Sequence, residues 1–166
     1  MRISVFVDGA NFFYMQRDHL KWWIDPGKLL KWIETKGEIV DAFYYVGVGI
    51  PFEARQDAFL KALTYIGYAL ITKDFKTIVQ EDGQVKKKAN LDIEIVLDMF
   101  NTIDHYDMAV LVSGNGDFER PLQLLRSRGK KFIVMSTQGC VAREIREVGG
   151  RHFVDFRKIR KKVEKS

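Results

Sequence analysis

At 166 residues, 46% apolar and 30% charged, the chain has the size and composition of one soluble globular domain. A net charge of +5 and an isoelectric point near 9.3 favour polyanionic partners, while three histidines and one cysteine exclude an internal disulfide and argue against a zinc site of the nitrogen and sulfur type. No apolar run approaches the ~18 residues that span a bilayer, the opening "RISVFVDGANFF" carries no small-residue cleavage site, and the lone Cys140 suits a reducing compartment, so a cytoplasmic protein is predicted.

In chain order, residues 2–7 (RISVFV) read as a first strand and residues 26–35 as a helix with Pro26 in its first turn. Residues 9–25 receive no assignment. Residues 38–46 read as a strand, 52–66 as a helix and 68–72 as a short strand. Residues 75–80 and 84–88 flank the turn Glu81-Asp82-Gly83 and predict a hairpin. Residues 90–102 read as a helix with Asn90 as its N-cap. Residues 108–113 (MAVLVS) and 131–136 (KFIVMS) are near-continuous apolar runs of the kind buried on both faces. Helices are predicted over 118–128 and 141–148, and a last strand over 152–156. This alternation predicts an α/β fold of three layers, α/β/α, with a mostly parallel sheet. Residues 1–156 form the domain. Residues 157–166, rich in lysine and arginine, form a basic tail expected to be a short surface helix or a frayed end.

Open α/β sheets bind ligands beyond the carboxyl ends of their strands. Asp8 follows the first strand in "VFVDGAN", and Asp117 follows the strand over 108–113 in "VLVSGNGDF", so both leave the sheet at one edge, with Asn11 and Asn115 beside them. The helix from Asn90 supplies a third acid. At 100° per residue from Leu91, its apolar side chains, Ile93 and Leu97 included, cover an arc of about 240°, and Asp92 falls inside it at about 100°. A carboxylate there is costly unless compensated, and a crossover helix begins at the same edge of the sheet. Asp98 lies on the border of the arc and Glu94 faces outward. Three converging acids repel unless a cation bridges them, and Mg²⁺ or Mn²⁺ suits oxygen ligands. The chemistry implied is phosphodiester hydrolysis by a metal-activated water.

Each residue also has a purely structural reading. Asp8 and Asp117 could cap helices, Asp92 could answer a helix dipole, and Asp98 could form a border salt bridge. Ser113 could touch a phosphate or bond within its loop. Lys86, Lys87 and Lys88 and the tail could contact a nucleic-acid backbone or stay solvated. Trp22, Trp23 and Trp32 could stack bases, cover a homodimer interface or pack the core. A phosphatase with Asp8 as nucleophile is disfavoured, because Ala10 stands where that chemistry needs a second acid.

The segments "VFVDGANFF" (5–13), "KKKANLDIEIVLDMF" (86–100) and "AVLVSGNGDFERPLQLLRSRGKKFIVM" (109–135) together resemble the NYN domains of the PIN-like nuclease superfamily, in particular the LabA-like group once called DUF88. The resemblance implies a PIN-like fold, a divalent-metal site and ribonuclease activity on RNA, most simply single-stranded. It also implies that Asp8, Asp92 and Asp117 occupy the acidic metal-site positions, Asn11 the polar position of the first motif and Asp98 a second acid of the helix. PIN-like relatives often pair, so a homodimer is a further expectation. One departure stands out: the family's Ser-Gly-Asp-x-Asp-Phe reads Ser113-Gly114-Asn115-Gly116-Asp117-Phe118 here. Asn115 can still ligate through its carbonyl oxygen but brings no charge. A second cation should then be held poorly. The alternative to an active enzyme is a weak or inactive NYN domain that binds RNA or serves as a regulatory interaction module.

Overall fold

The computed structural model describes residues 1–49 and 54–166. Its main sheet has six parallel strands: β1 (Arg2–Asp8), β2 (Glu38–Val48), β3 (Ala69–Asp74), β6 (Met108–Val112), β7 (Lys131–Ser136) and β8 (Phe153–Asp155), in the order β3-β2-β1-β6-β7-β8. Between β3 and β6 in the chain, β4 (Lys76–Val79) and β5 (Val85–Lys88) pair antiparallel as a separate hairpin. The helices are α1 (Gly9–Tyr14), α2 (Pro26–Glu34), α3 (Ala54–Ile66), α4 (Asp92–Asn101), α5 (Glu119–Ser127), α6 (Arg143–Gly149) and α7 (Arg160–Val163).

Side chains alternate across each strand, and here both faces are covered. Ile3, Val5 and Val7 of β1, with Met108, Val110 and Val112 of β6, join Leu29, Leu30 and Ile33 of α2, Leu63 of α3 and Val163 of α7. Phe6, Ala109 and Leu111 point the other way, to Ile95 and Met99 of α4, Leu122 and Leu125 of α5 and Ile145 of α6. The expected three-layer α/β/α fold is therefore present. Strand order reverses between β1 and β6, because the chain builds outward from β1 in both directions. That reversal opens a crevice at the carboxyl ends of these two strands.

Several expectations shift. The unassigned stretch after β1 holds α1 and one turn and a half of π-helix, Met15–Leu20, ended by Lys21 in the left-handed region at φ 66°. The helix expected from 52 is seen from Ala54, and its first two residues lie outside the described residues. α4 begins at Asp92 with Leu91 in the cap position. Asn90 acts one residue earlier than a true N-cap, its Oδ1 accepting from the Asp92 N–H at 2.8 Å. The tail is tied down rather than frayed: Val163 is fully buried, and the Lys28 ammonium donates to the Glu164 carbonyl at 2.9 Å. Trp22 is buried and Trp32 packs on the core, leaving only Trp23 of the three well exposed, against Phe13. No helix among the described residues is long and apolar enough to cross a membrane.

Candidate functional site

Strand β1 ends on Asp8, whose carboxylate is 8% exposed. Its neighbours are few. Ser113 donates its hydroxyl to Oδ2 at 2.8 Å, and the Asn11 N–H approaches Oδ1 at 3.4 Å. Asp8 thus caps α1 and also faces the crevice, so the structural and functional readings hold together. Burial pushes its carboxyl up to about 6; the Ser113 bond opposes that, and the charge of Asp92 adds to it.

The loop after β6 supplies the other wall. Asn11 Oδ1 accepts from the Gly114 N–H at 3.0 Å, tying α1 to this loop. Gly114 must be a glycine: a Cβ there would come within 2.6 Å of the Cys140 carbonyl oxygen and 2.9 Å of Ser136 Oγ. The Ala142 N–H then donates to the Gly114 carbonyl at 2.8 Å, so the segment after β7 seats the loop. Ser113 Oγ also accepts from the Asn115 N–H at 3.1 Å. The hydroxyl therefore serves the loop and Asp8 at once.

Asn115 connects the remaining acids. Its Nδ2 donates to Asp92 Oδ2 at 2.9 Å, and its Oδ1 accepts from the Asp117 N–H at 3.0 Å. Asn115, not Asp117, caps the short 3-10 turn Gly116–Phe118, and Asp117 is exposed on it. Asp92 is half-buried in the first turn of α4. Burial raises its carboxyl and so does Asp117, while Asn115 and Lys88 pull it down. Asp92 thus stands near enough to both Asp8 and Asp117 to bear on their side of the crevice, and hydrogen bonds through Ser113 and Asn115 link the three segments that carry them.

The remaining predictions land in different places. Asp98 turns to Tyr45, whose hydroxyl donates to Oδ2 at 2.8 Å, and is not part of the bonded chain from Asp8 to Asp117. Glu94 does not face outward into solvent; it pairs with Lys73 at 2.7 Å. The apolar arc of α4 is narrower than its sequence suggests, with Ile93 70% and Leu97 62% exposed, so the buried stripe is Leu91, Ile95 and Met99 with Asp92 at its margin. Lys86, Lys87 and Lys88 form β5 on the exposed hairpin. Sequence reasoning passed over Glu144, whose Oε2 lies 2.9 Å from where a Cβ on Gly116 would stand. No spacing signal marks it, because it reaches the loop from α6.

Among the described residues, no three His, Cys, Asp or Glu side chains approach closely enough to form a metal-holding group. In kind, the donors fit one hard cation. Asp8 and Asp92 offer carboxylate oxygens, both are held above their ordinary values by burial, and Asp8 is raised further by Asp92. At the third position the amide offers Asp92 a proton donor and gives its carbonyl to the backbone. Asn115 therefore satisfies Asp92 by hydrogen bonding and adds no charge of its own.

A family model described as the NYN domain matches residues 2–163. The chain belongs to the NYN domain family. It is 41% identical, over 99% of its own length and 89% of the relative, to the low amplitude and bright protein LabA of Synechococcus elongatus (strain ATCC 33912 / PCC 7942 / FACHB-805). Its fold is similar to the crystal structure of a protein of unknown function from Vibrio parahaemolyticus RIMD 2210633, with a TM-score of 0.77 at 24% identity, covering 93% of this chain and 91% of that one. Membership places the crevice on the scaffold of a nuclease-like superfamily that generally uses divalent metals.

Proposed function

We propose that this NYN domain is a metal-dependent endoribonuclease acting on single-stranded RNA, with Asp8 and Asp92 as the principal ligands of one Mg²⁺ or Mn²⁺ and Asp117 at the rim. The supporting observation is that Asp8 and Asp92, from distant segments, are brought to the strand-order reversal and linked there through Ser113 and Asn115, while among the described residues neither is in an ion pair. A bound divalent ion would acidify a water and stabilise charge on the phosphoryl group. Ser113 holds Asp8 in place through its hydroxyl, and Asn11 locks the Gly114 backbone so that both walls keep their spacing. Asn115 orients Asp92, and burial by the Phe6 side of the core keeps the local dielectric low.

Asn115 also favours a second reading. An amide that satisfies Asp92 without a cation suits a domain that binds RNA and cuts it slowly or not at all. One experiment separates the two: incubation of a labelled single-stranded RNA with the protein in Mn²⁺, in chelator, and as Asp8→Asn and Asp92→Asn. The nuclease reading expects cleavage in Mn²⁺ only, and a loss of more than about 100-fold in either variant, since even outer partners of a metal site are worth about 10–100-fold. Cleavage that survives chelator or Asp8→Asn overturns it. Binding without cleavage in excess Mn²⁺ selects the second reading.

A further inference from the structure

The β4–β5 hairpin has two unlike faces. Its register pairs Lys76 with Lys88 and Ile78 with Lys86, and pairs Thr77 with Lys87 and Val79 with Val85. Side chains alternate along a strand and directly paired residues share a face. Lys76, Lys86 and Lys88 therefore stand on one side of the ribbon with Ile78, and Lys87 on the other with two valines. Only the first side looks inward, over a cavity of about 160 Å³ whose walls include Lys73, Lys76, Lys88, Asp74 and Asn90. A hollow of that size has room for several waters, and so for an anionic group.

The hairpin is seated where it emerges. The Phe75 N–H donates to the Val48 carbonyl at 2.9 Å, and a Cβ on Gly47 would stand 2.7 Å from Ala89 Cβ, so the ends of the ribbon press on β2. Asn90, in the cavity wall, is also the residue whose side chain receives the Asp92 N–H. The cavity thus shares a wall with the carboxylate crevice. Lys73 is already paired with Glu94, at 2.7 Å. Lys76 and Lys88 are in no ion pair among the described residues, though Lys88 stands near enough to Asp92 to pull its carboxyl down, and their pairing sets the two lysines side by side on one face of the ribbon. Like charges placed side by side on one face gain from an anion between them.

We propose that the inner face of the β4–β5 hairpin, through Lys76 and Lys88, is a subsite for the phosphodiester backbone of single-stranded RNA adjoining the bond held at the carboxylates. This rests on the reading of the crevice as an RNA site and adds to it where the strand runs. Lys86 extends the track and Ile78, 45% exposed between the lysines, offers an apolar contact to sugar or base. Lys87 lies outside it.

The test is fluorescence anisotropy with a labelled oligouridylate of about 12 nucleotides, within the span one such groove covers, in EDTA so that nothing is cut. Wild type is compared with the Lys76→Ala/Lys88→Ala double variant and with Lys87→Ala, at several salt concentrations. The double variant should bind at least about 10-fold more weakly, with a slope of log K against log salt shallower by about 1.4, at about 0.7 per single-strand phosphate contact. Lys87→Ala should match wild type. Equal losses in both proteins, an unchanged double variant, or no binding by wild type would each overturn the subsite. Cleavage in Mn²⁺, run beside it, keeps the two readings apart: the binding pattern without cleavage upholds the subsite while hydrolysis falls, and cleavage indifferent to Lys76 and Lys88 sinks the subsite while hydrolysis stands.

Discussion

Asp107 and Asp8 sit at opposite ends of the β1–β6 pair, and the chain treats them in opposite ways. At the amino edge, Asp107 accepts from the Arg2 N–H at 2.8 Å and from its guanidinium at 3.1 Å, and Arg2 holds its carboxyl down at about 2. At the carboxyl edge, Asp8 has a hydroxyl and one distant N–H for partners, and burial holds it up at about 6. Asp155, at the end of β8, belongs with Asp107. Although burial pushes it up, the N–H of Arg157, the Thr137 hydroxyl and the N–H of Gln138 bring it below its ordinary value. An acid whose task is structural is given its donors by the chain. An acid left short of them is held above its ordinary range by burial.

That contrast is open to measurement, and its strongest test is on stability. Asp155→Ala removes three accepted hydrogen bonds and should cost about 2–3 kcal/mol in urea unfolding. A cost below about 1 kcal/mol would mean that the β8 end is not clasped as described. Asp8→Asn should move the other way. The rise from 3.8 to about 6 corresponds to about 3 kcal/mol of penalty at neutral pH. The amide should recover about 2 kcal/mol of it in EDTA, the stability gain expected where a site residue is strained for function. The pH profile carries the sign. Below 3.8 Asp8 is protonated folded and unfolded alike. Between there and about 6 the folded chain holds the extra proton, so the Asp8 contribution to stability falls as pH rises and is flat above. For Asp155 the contribution is lost instead as pH falls. If Asp8→Asn leaves the slope between pH 4 and about 6 unchanged from wild type, the buried-acid account of the site is wrong.

Smaller effects sharpen the comparison. Asn115→Asp exchanges the donor on Asp92 for a second anion and should lose about 1 kcal/mol in EDTA, less than a full charged hydrogen bond because Asp92 is half-exposed. Mn²⁺ should then raise the melting temperature of the variant more than that of wild type, because a ligand stabilises in proportion to its affinity. Equal shifts would remove Asn115 from the account of metal binding. Smallest of all, Arg143→Ala breaks a solvated i,i+4 pair with Glu147 and should leave the melting temperature within error.

Length, composition and the alternation of apolar runs determined the layered architecture. In a parallel sheet with right-handed crossovers, the ends of β1 and β6 must share an edge, so the meeting of Asp8 with the loop that starts at Ser113 was legible from their places after those strands. Asp92 was legible too, as an acid in the first turn of the next crossover helix. The width of the helical stripe was not legible, because a wheel counts apolar residues without knowing which face another layer covers; Ile93 and Leu97 stay outside. Nor was α1 with its π-turn, where Asp8, Gly114 and the layer below decide the path more than local propensity does. Asn115 could be seen as a missing charge, but its two bonds, to Asp92 and to the Asp117 N–H, depend on three segments meeting. The pairing of Glu94 with Lys73, the seat of Gly114 on the Cys140 segment and the inward side of the hairpin are of the same kind. Periodicity along the chain carries which residues are apolar and where elements stop; which donor meets which acceptor is set by packing between distant segments, and only the tertiary structure decides it.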